Sequence, residues 1–597
     1  MKASPLAFSV LVALLPAGVV LSQAPFIPGS AETEGLSRIV PDTITFDFGG
    51  RNAIGNWEPF ASVLGNAAFL IESNTFAEGT TTDMQRFGLT FQAVAGGDLV
   101  PGEVFFTDAG LPYAGPINNY RQNGNPGRVA GDKRPGAVNL IAGGEASPDE
   151  LAPFQSDARW DTGVIRGGRY AVVQTYSLDL TTLEQEAICK AFDAINGRLA
   201  AGDPGTDQIG RFGGDLAALD DGNFVVVVDD RSRLHVPDEK AAVAVIVAPD
   251  GSIVKESFLI GVGELWSNVA AFQGGFCVRL AGILKFYDNE GSLLGEVDQQ
   301  DPLLVDPLEQ PILFDRLRGD GTRIAAHINS PYVYLAGVSA PDVRIAVWDS
   351  RDQTYVAQAN VNELTDVNGG VDAADFRPGL DRVNLAVDAL NRVVVTYEVI
   401  LPGVAQPQTV ARVLAFDEEE KSFSYLTSSF FPFINYHDGT LGEVGVPIRV
   451  IRPSPAMTTR EICIAAKGEI SSVNDPTLGA DTPAEVNFYT VFAHPDPQDD
   501  PTMPVGGRQT FRRGDTNNDG KQDISDAVFM LGHLFLGGPR WVCDEGSDTN
   551  DAGKTDISDA VFLLGHLFLG GATPPAPYPD CGVDPNGESC PLSSCNV

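Results

Sequence analysis

Positive charge is scarce in this chain: 40 Lys and Arg stand against 79 Asp and Glu, a formal net charge of −39. A surface of that sign repels phosphate backbones and anionic headgroups, which argues against nucleic acid and membrane surfaces as partners. Histidine is rare too, at 6 in 597 residues. No H-E-x-x-H, G-x-S-x-G or P-loop pattern occurs, so no familiar motif marks a zinc protease, a serine hydrolase or a nucleotide site. Beyond the first two dozen residues no apolar run is long enough to span a bilayer. Little before residue 495 has helical periodicity.

What is present describes a folded, exported, multidomain chain. The length exceeds what one ordinary core holds, and 43% apolar with 20% charged residues is a globular composition. Lys2, the apolar stretch Leu6 to Leu21 and the small residues around Ser22 read as a signal peptide over 1–22, too short for a membrane anchor and without a basic stop signal. The expected localisation is therefore secreted, extracellular or cell surface, with no transmembrane anchor after cleavage. Seven cysteines fit an oxidising compartment. Cys189, Cys277 and Cys463 sit singly in strand-like runs and read as buried small hydrophobes. Cys543, Cys581, Cys590 and Cys595 crowd into the end of the chain among Pro, Gly and Asp. Without any C-x-x-C pair they favour disulfides over zinc, and three pairings stay open.

From 23 to 493, short β-branched or aromatic runs alternate with Gly, Asp and Asn turns. Asp221-Gly222, Asp250-Gly251 and Asn196-Gly197 are hairpin signals, because both turn residues must accept positive φ. Phe286 to Leu293 carries a related turn through Gly291, while Val347-Trp348-Asp349 and Phe416-Asp417 open similar turns that lack the glycine. Such spacing fits propeller blades, with units near 57–108, 158–200, 209–258, 264–300, 318–360, 376–426 and 447–493. The expected fold is mainly β: a six- to eight-bladed β-propeller followed by a small all-α calcium module. A β-sandwich array is the rival. The region resembles irregular propellers in general; the WD, Kelch and S-x-D-x-G-x-x-W signatures are absent. Residues 494–512, rich in Pro, Gly and Asp, read as a linker.

Chemistry concentrates in a duplication. Residues 514–538 read GDTNNDGKQDISDAVFMLGHLFLGG, and 547–571 read SDTNDAGKTDISDAVFLLGHLFLGG. Calcium takes six to eight oxygen ligands, which a twelve-residue loop presents from positions 1, 3, 5, 7, 9 and 12. In the first copy these are Asp515, Asn517, Asp519, the carbonyl of Lys521, Asp523 and Asp526, with Gly520 at the sharp turn. In the second they are Asp548, Asn550, the Lys554 carbonyl, Asp556 and Asp559, with Gly553 at the turn and Ala552 where a carboxylate is missing. The second loop should bind more weakly. Each loop leads into a helix, with Val528, Leu531, Leu534 and Phe535, and then Val561, Leu564, Leu567 and Phe568, at helical spacing. These apolar faces are expected to meet each other. His533 and His566 read as packing residues, Asp366 to Asp375 as an acidic turn, and Glu418 to Glu420 as a solvated hairpin tip.

One helix per loop, Asp at position 12 and two tandem copies make residues 513–571 resemble a type I dockerin, with 572–597 as a cysteine-bearing tail. The resemblance implies an EF-hand-like module that docks onto a cohesin-like partner, read by Ile524 and Ser525 and by Ile557 and Ser558. It also implies company with polysaccharide-degrading enzymes. Gln522 and Thr555 depart from the family's aliphatic position 8. Two functions follow: a propeller for binding or adhesion tethered by the module, or a glycoside hydrolase or lyase delivered by it. The second would need paired carboxylates that sequence alone cannot pair.

Overall fold

The computed structural model describes residues 29–44, 59–65, 68–76, 84–95, 98–106, 117–118, 128–146, 170–178, 185–187, 192–193, 210–230, 236, 239, 241–262, 267–280, 282–298, 322–339, 342–362, 383–400, 407–433, 447–470, 484–498, 511–536, 538, 541, 543–552, 554–582 and 595. The signal segment, Cys189, Cys590, Gly553, the Asn196-Gly197 turn and the 366–375 turn lie outside them.

Seven sheets follow one another along the chain, antiparallel except where Gly29–Ser30 runs parallel to Phe430–Phe431. Their innermost strands are Phe60–Leu64, Arg128–Gly131, Gly210–Ala218, Asn268–Phe272, Thr322–Ala326, Val383–Val387 and Pro447–Met457. Each neighbours the next, and the last neighbours the first, so the sheets close as blades one to seven of a propeller. The chain is joined across its own length: the N-terminal strand Arg38–Ile44 forms the outer edge of blade seven against Ala484–Ala493. Arg38 fixes this join, donating to Thr490 Oγ1 at 2.7 Å and lying 4.7 Å over the Phe492 ring.

A blade's middle strands are covered on both faces by neighbouring blades, which explains their unbroken apolar runs. In blade three every residue of Ala241–Val247 is buried, while the outer strand Ile253–Val262 is largely exposed. The turns behave as the hairpin signals require: Gly222, Gly251 and Gly291 have φ of 92°, 79° and 72°. Where glycine is absent, Gln353 and Lys421 take the left-handed conformation instead, at 57° and 51°. Gly131 has another role. A Cβ there would lie 2.3 Å from the Val63 carbonyl oxygen, so glycine lets blades one and two approach.

Two expectations shift. Turn spacing places blade two at 158–200, but its inner strands are Arg128–Gly131 and Asn139–Ala146, joined by a loop through Asp132, Arg134 and Gly136. The first is only four residues long and opens into a charged loop, so it gives almost no periodicity. The linker range 494–512 is folded at both ends: His494 N–H donates to Arg460 O at 2.7 Å, and Phe511 bridges Gly582.

Beyond the propeller, helices Ile524–Leu536 and Ile557–Leu569 lie against each other, with a short helical turn at Asp544–Ser547. They meet through Ala527, Met530, Ala560 and Leu563, all buried. The apolar stripe expected inside is split: Val528, Phe535, Val561 and Phe568 are exposed by 61–63%, while Leu531 and Leu534 pack against the buried cluster of Met530, Trp541 and Ala560. Small alanines and the Asp at each helix start occupy the inner face, and they admit close helix approach where larger side chains would not. Cys581 and Cys595 form a disulfide, and Cys543 is also disulfide-bonded. Cys277 and Cys463 are free and buried, as small apolar residues.

Candidate metal centre and propeller channel

The two acidic loops have the same internal wiring. In the first, Asp515 Oδ1 accepts from Asp519 N–H at 3.0 Å and its Oδ2 from Gly520 N–H at 3.0 Å. In the second, Asp548 Oδ1 accepts from Ala552 N–H at 2.9 Å. Asp526 bridges its loop by accepting from Asn517 N–H and Asp523 N–H at 3.1 and 2.9 Å. Asp559 does the same with Asn550 and Asp556, at 3.2 and 2.8 Å. Asp523 and Asp556 each accept from the N–H and hydroxyl of the serine two residues on. Asn518 and Asp551, each the fourth residue of its loop, have φ of 61° and 58°. A duplicated sequence has thus produced a duplicated carboxylate arrangement, each ending in the N-terminal turn of a helix.

Electrostatics distinguish the innermost carboxylates. Asp526 and Asp559 have no solvent exposure. Burial pushes the Asp526 carboxyl up to about 6, helped by the charges of Asp515 and Asp519 and opposed by its backbone hydrogen bonds. Asp559 is raised for the same leading reason, with Asp548 adding to it. Asp523 and Asp556 are held low by Ser525 and Ser558. The exposed Lys554 ammonium pairs with the loop carboxylate of Asp556 at 2.9 Å. Asp519 Oδ1 is held by Lys521 N–H at 2.9 Å. Among the described residues no three His, Cys, Asp or Glu groups converge tightly enough to hold a metal as they stand. The donor types that the sequence sets in register, acids, an amide and a carbonyl, are those that calcium takes. The second set is one acid poorer at Ala552.

The histidines pack, as expected. His533 meets Trp541 edge-on at 4.7 Å, and His566 Nε2 lies 2.6 Å from the Tyr578 hydroxyl. Arg513 has no counterpart among the residues that the sequence singles out. Fully buried, it donates to Asp548 O at 2.6 Å and pairs with Asp551 at 3.1 Å, so the segment leading into one loop ties down the other.

The second concave site is the propeller channel, lined by inner strands of all seven blades. Its walls are mostly Ala and Val, with a belt of polar groups joining blades. Ser454 Oγ accepts from Ala61 N–H at 3.0 Å, Ser62 Oγ from Gly131 N–H at 3.1 Å, and Asn384 donates to Pro453 O at 3.3 Å. Asp215 accepts from Leu216 and Val269 N–H at 3.0 and 3.4 Å. It is the channel's one carboxylate among the described residues.

No family model and no curated protein matches the chain. Among solved structures, the NanB sialidase from Streptococcus pneumoniae, in complex with 2-[(3-chlorobenzyl)ammonio]ethanesulfonate, shares 9% identity at a TM-score of 0.37, over 77% of this chain and 71% of that one. The structure of NanB plus Optactamide gives 10%, 0.32, 75% and 70%. The Hadza microbial sialidase Hz136 gives 10%, 0.30, 61% and 63%. At these scores no residue role passes from those proteins to this chain.

Proposed function

We propose that the chain is an exported binding protein whose propeller presents a ligand surface, and whose C-terminal module, once calcium-loaded, docks a cohesin-like protein. The observation that carries this reading is the doubled cradle: two loops wired alike, each aiming a buried carboxylate at the start of a helix. Asp515, Asn517, Asp519, the Lys521 carbonyl, Asp523 and Asp526 would hold one ion. Asp548, Asn550, the Lys554 carbonyl, Asp556 and Asp559 would hold a second more weakly. Bound calcium would supply the positive charge that offsets the crowded carboxylates and fixes both helix starts.

The helix surfaces support the docking half. Ile524, Val528, Phe535 and Leu536 are exposed on one helix, and Ile557, Val561, Phe568 and Leu569 at the equivalent places on the other. Exposed apolar side chains repeated on one face are the usual mark of a protein partner. For the propeller, the ligand surface would be the channel wall of Ala and Val crossed by Lys133, Asp215 and Arg323.

The test uses the full chain against a cohesin panel and a polysaccharide array, in calcium and again in chelator. Cohesin capture in calcium alone, lost in a Phe535→Ser, Phe568→Ser double variant, supports the reading. Capture indifferent to chelator, or turnover of an arrayed polysaccharide, overturns it.

A further inference from the structure

Three charged side chains line the described part of the channel: Lys133, Asp215 and Arg323. Asp215 is engaged by backbone N–H groups, and Arg323 donates to the side chain of Asn268 once that amide is oriented to suit its partners. Lys133 differs. It leaves blade two just past the inner strand and reaches blade five, three blades on, where Nζ donates to Ala326 O at 3.3 Å.

The acids that could answer this charge are engaged elsewhere. Asp132, fully buried beside it in sequence, accepts from Arg134 Nη2 at 2.7 Å and from Arg134 N–H at 3.0 Å. Asp220 at the same corner of blade three accepts from Gly274 N–H and Asn289 at 2.7 and 2.6 Å. Asp388 at that corner of blade six pairs with Arg392 at 2.6 Å. Among the described residues no carboxylate forms an ion pair with Lys133. Burial alone pulls its ammonium down to about 8, and burial followed by the Lys133 charge holds His327 near 3, neutral. At neutral pH the channel wall therefore carries a half-buried, largely charged amine for which the described residues supply one carbonyl, Ala326 O. Such a group is stabilised by an anion with matching geometry. The protein's overall −39 does not prevent this, because surface charge is screened within about 8 Å at physiological salt.

We propose that the propeller channel binds a small, slim organic carboxylate whose anionic end pairs with Lys133 and whose body lies along the Ala and Val walls. The inference rests on reading the propeller as a binding platform and is independent of the calcium module, so chelator leaves it intact. It is tested on the full chain with sodium butyrate as probe, sodium chloride at equal ionic strength, and 1-butanol as the uncharged control. Butyrate should bind saturably by calorimetry, and Lys133→Met should weaken it about tenfold or more, the order expected for one charge-assisted contact. Butyrate should also slow acylation of Lys133 in the wild-type chain, read by peptide mass spectrometry, while other lysines keep their rates. That labelling result decides the matter if the variant misfolds. Unchanged Lys133 labelling, equal protection by chloride or butanol, or full affinity in a folded Lys133→Met variant would each overturn the proposal.

Discussion

The propeller and the C-terminal module solve the same problem with opposite means. The propeller buries whole strands on both faces: Trp348, Phe286, Cys277 and Leu284 fill one junction between blades, and Tyr334, Ile345 and Val395 fill the next. The module's described apolar interior amounts to Phe511, Ala527, Met530, Trp541, Cys543, Ala560 and Leu563, and it buries Asp515, Asp526, Asp548, Asp559 and Arg513 beside them. A unit that small has too little apolar area to offset chain entropy and buried charge by itself. Disulfides supply part of the difference, and calcium, on the function proposed above, would supply the rest. Stability in the propeller should therefore answer to apolar substitutions, and in the module to the metal.

The sharpest way to break that division is a core truncation. Trp348 is fully buried, and Trp348→Ala should cost the propeller about 3–5 kcal/mol. In calorimetry the propeller's transition should fall while the module's stays in place. A shift of both together would mean the two regions unfold as one unit.

Calcium gives the converse. At about 100 times the dissociation constant an ion adds roughly 2.7 kcal/mol per site. Chelator should lower the module's transition and reduce helical circular dichroism, leaving the propeller's transition where it was. A propeller transition that moved with chelator would place a structural ion elsewhere.

The smallest effect expected is in pH, where the two regions carry opposite signs. His494 is held near 4 and His327 near 3, in both cases chiefly by burial. Their folded values lie below the ordinary 6.5, so the unfolded state binds more protons and the propeller loses stability as pH falls from about 6.5 toward 4. In the calcium-free module Asp526 is raised to about 6. There the folded state binds the proton more readily, and stability rises as pH falls through about 6 toward 4. Melting curves in chelator at pH of about 7, 5.5 and 4.5 should move the two transitions in opposite directions.

Much of this was legible in the chain. Hairpin turns such as Asp250-Gly251 announce themselves because positive φ restricts which residues fit, and the acidic loops because the sequence repeats itself through them. Blade closure was not legible: Val40 pairs with Val491 near the opposite end of the chain, and nothing local to Arg38–Ile44 records it. Lys133 escapes notice for a similar reason. In sequence it is one cation in a charged loop, and only the ring brings Ala326 opposite it. The helix faces are split relative to expectation, with Leu531 and Leu534 packed inward and Val528 and Phe535 outward, because periodicity locates a stripe without saying whether protein or partner covers it. Ala527 and Ala560 outweighed Val528 and Val561 as inner residues.

The central claim is that two like loops hold calcium unequally, and calcium titration of the chelator-stripped full chain tests it most directly. Two saturable sites of different affinity are expected. In Asp519→Ala the tighter should weaken on the order of tenfold, since affinity follows the number of charged ligands, while the weaker site keeps its value. A chain with no saturable calcium binding, or an Asp519→Ala variant that kept the tight site intact, would contradict it.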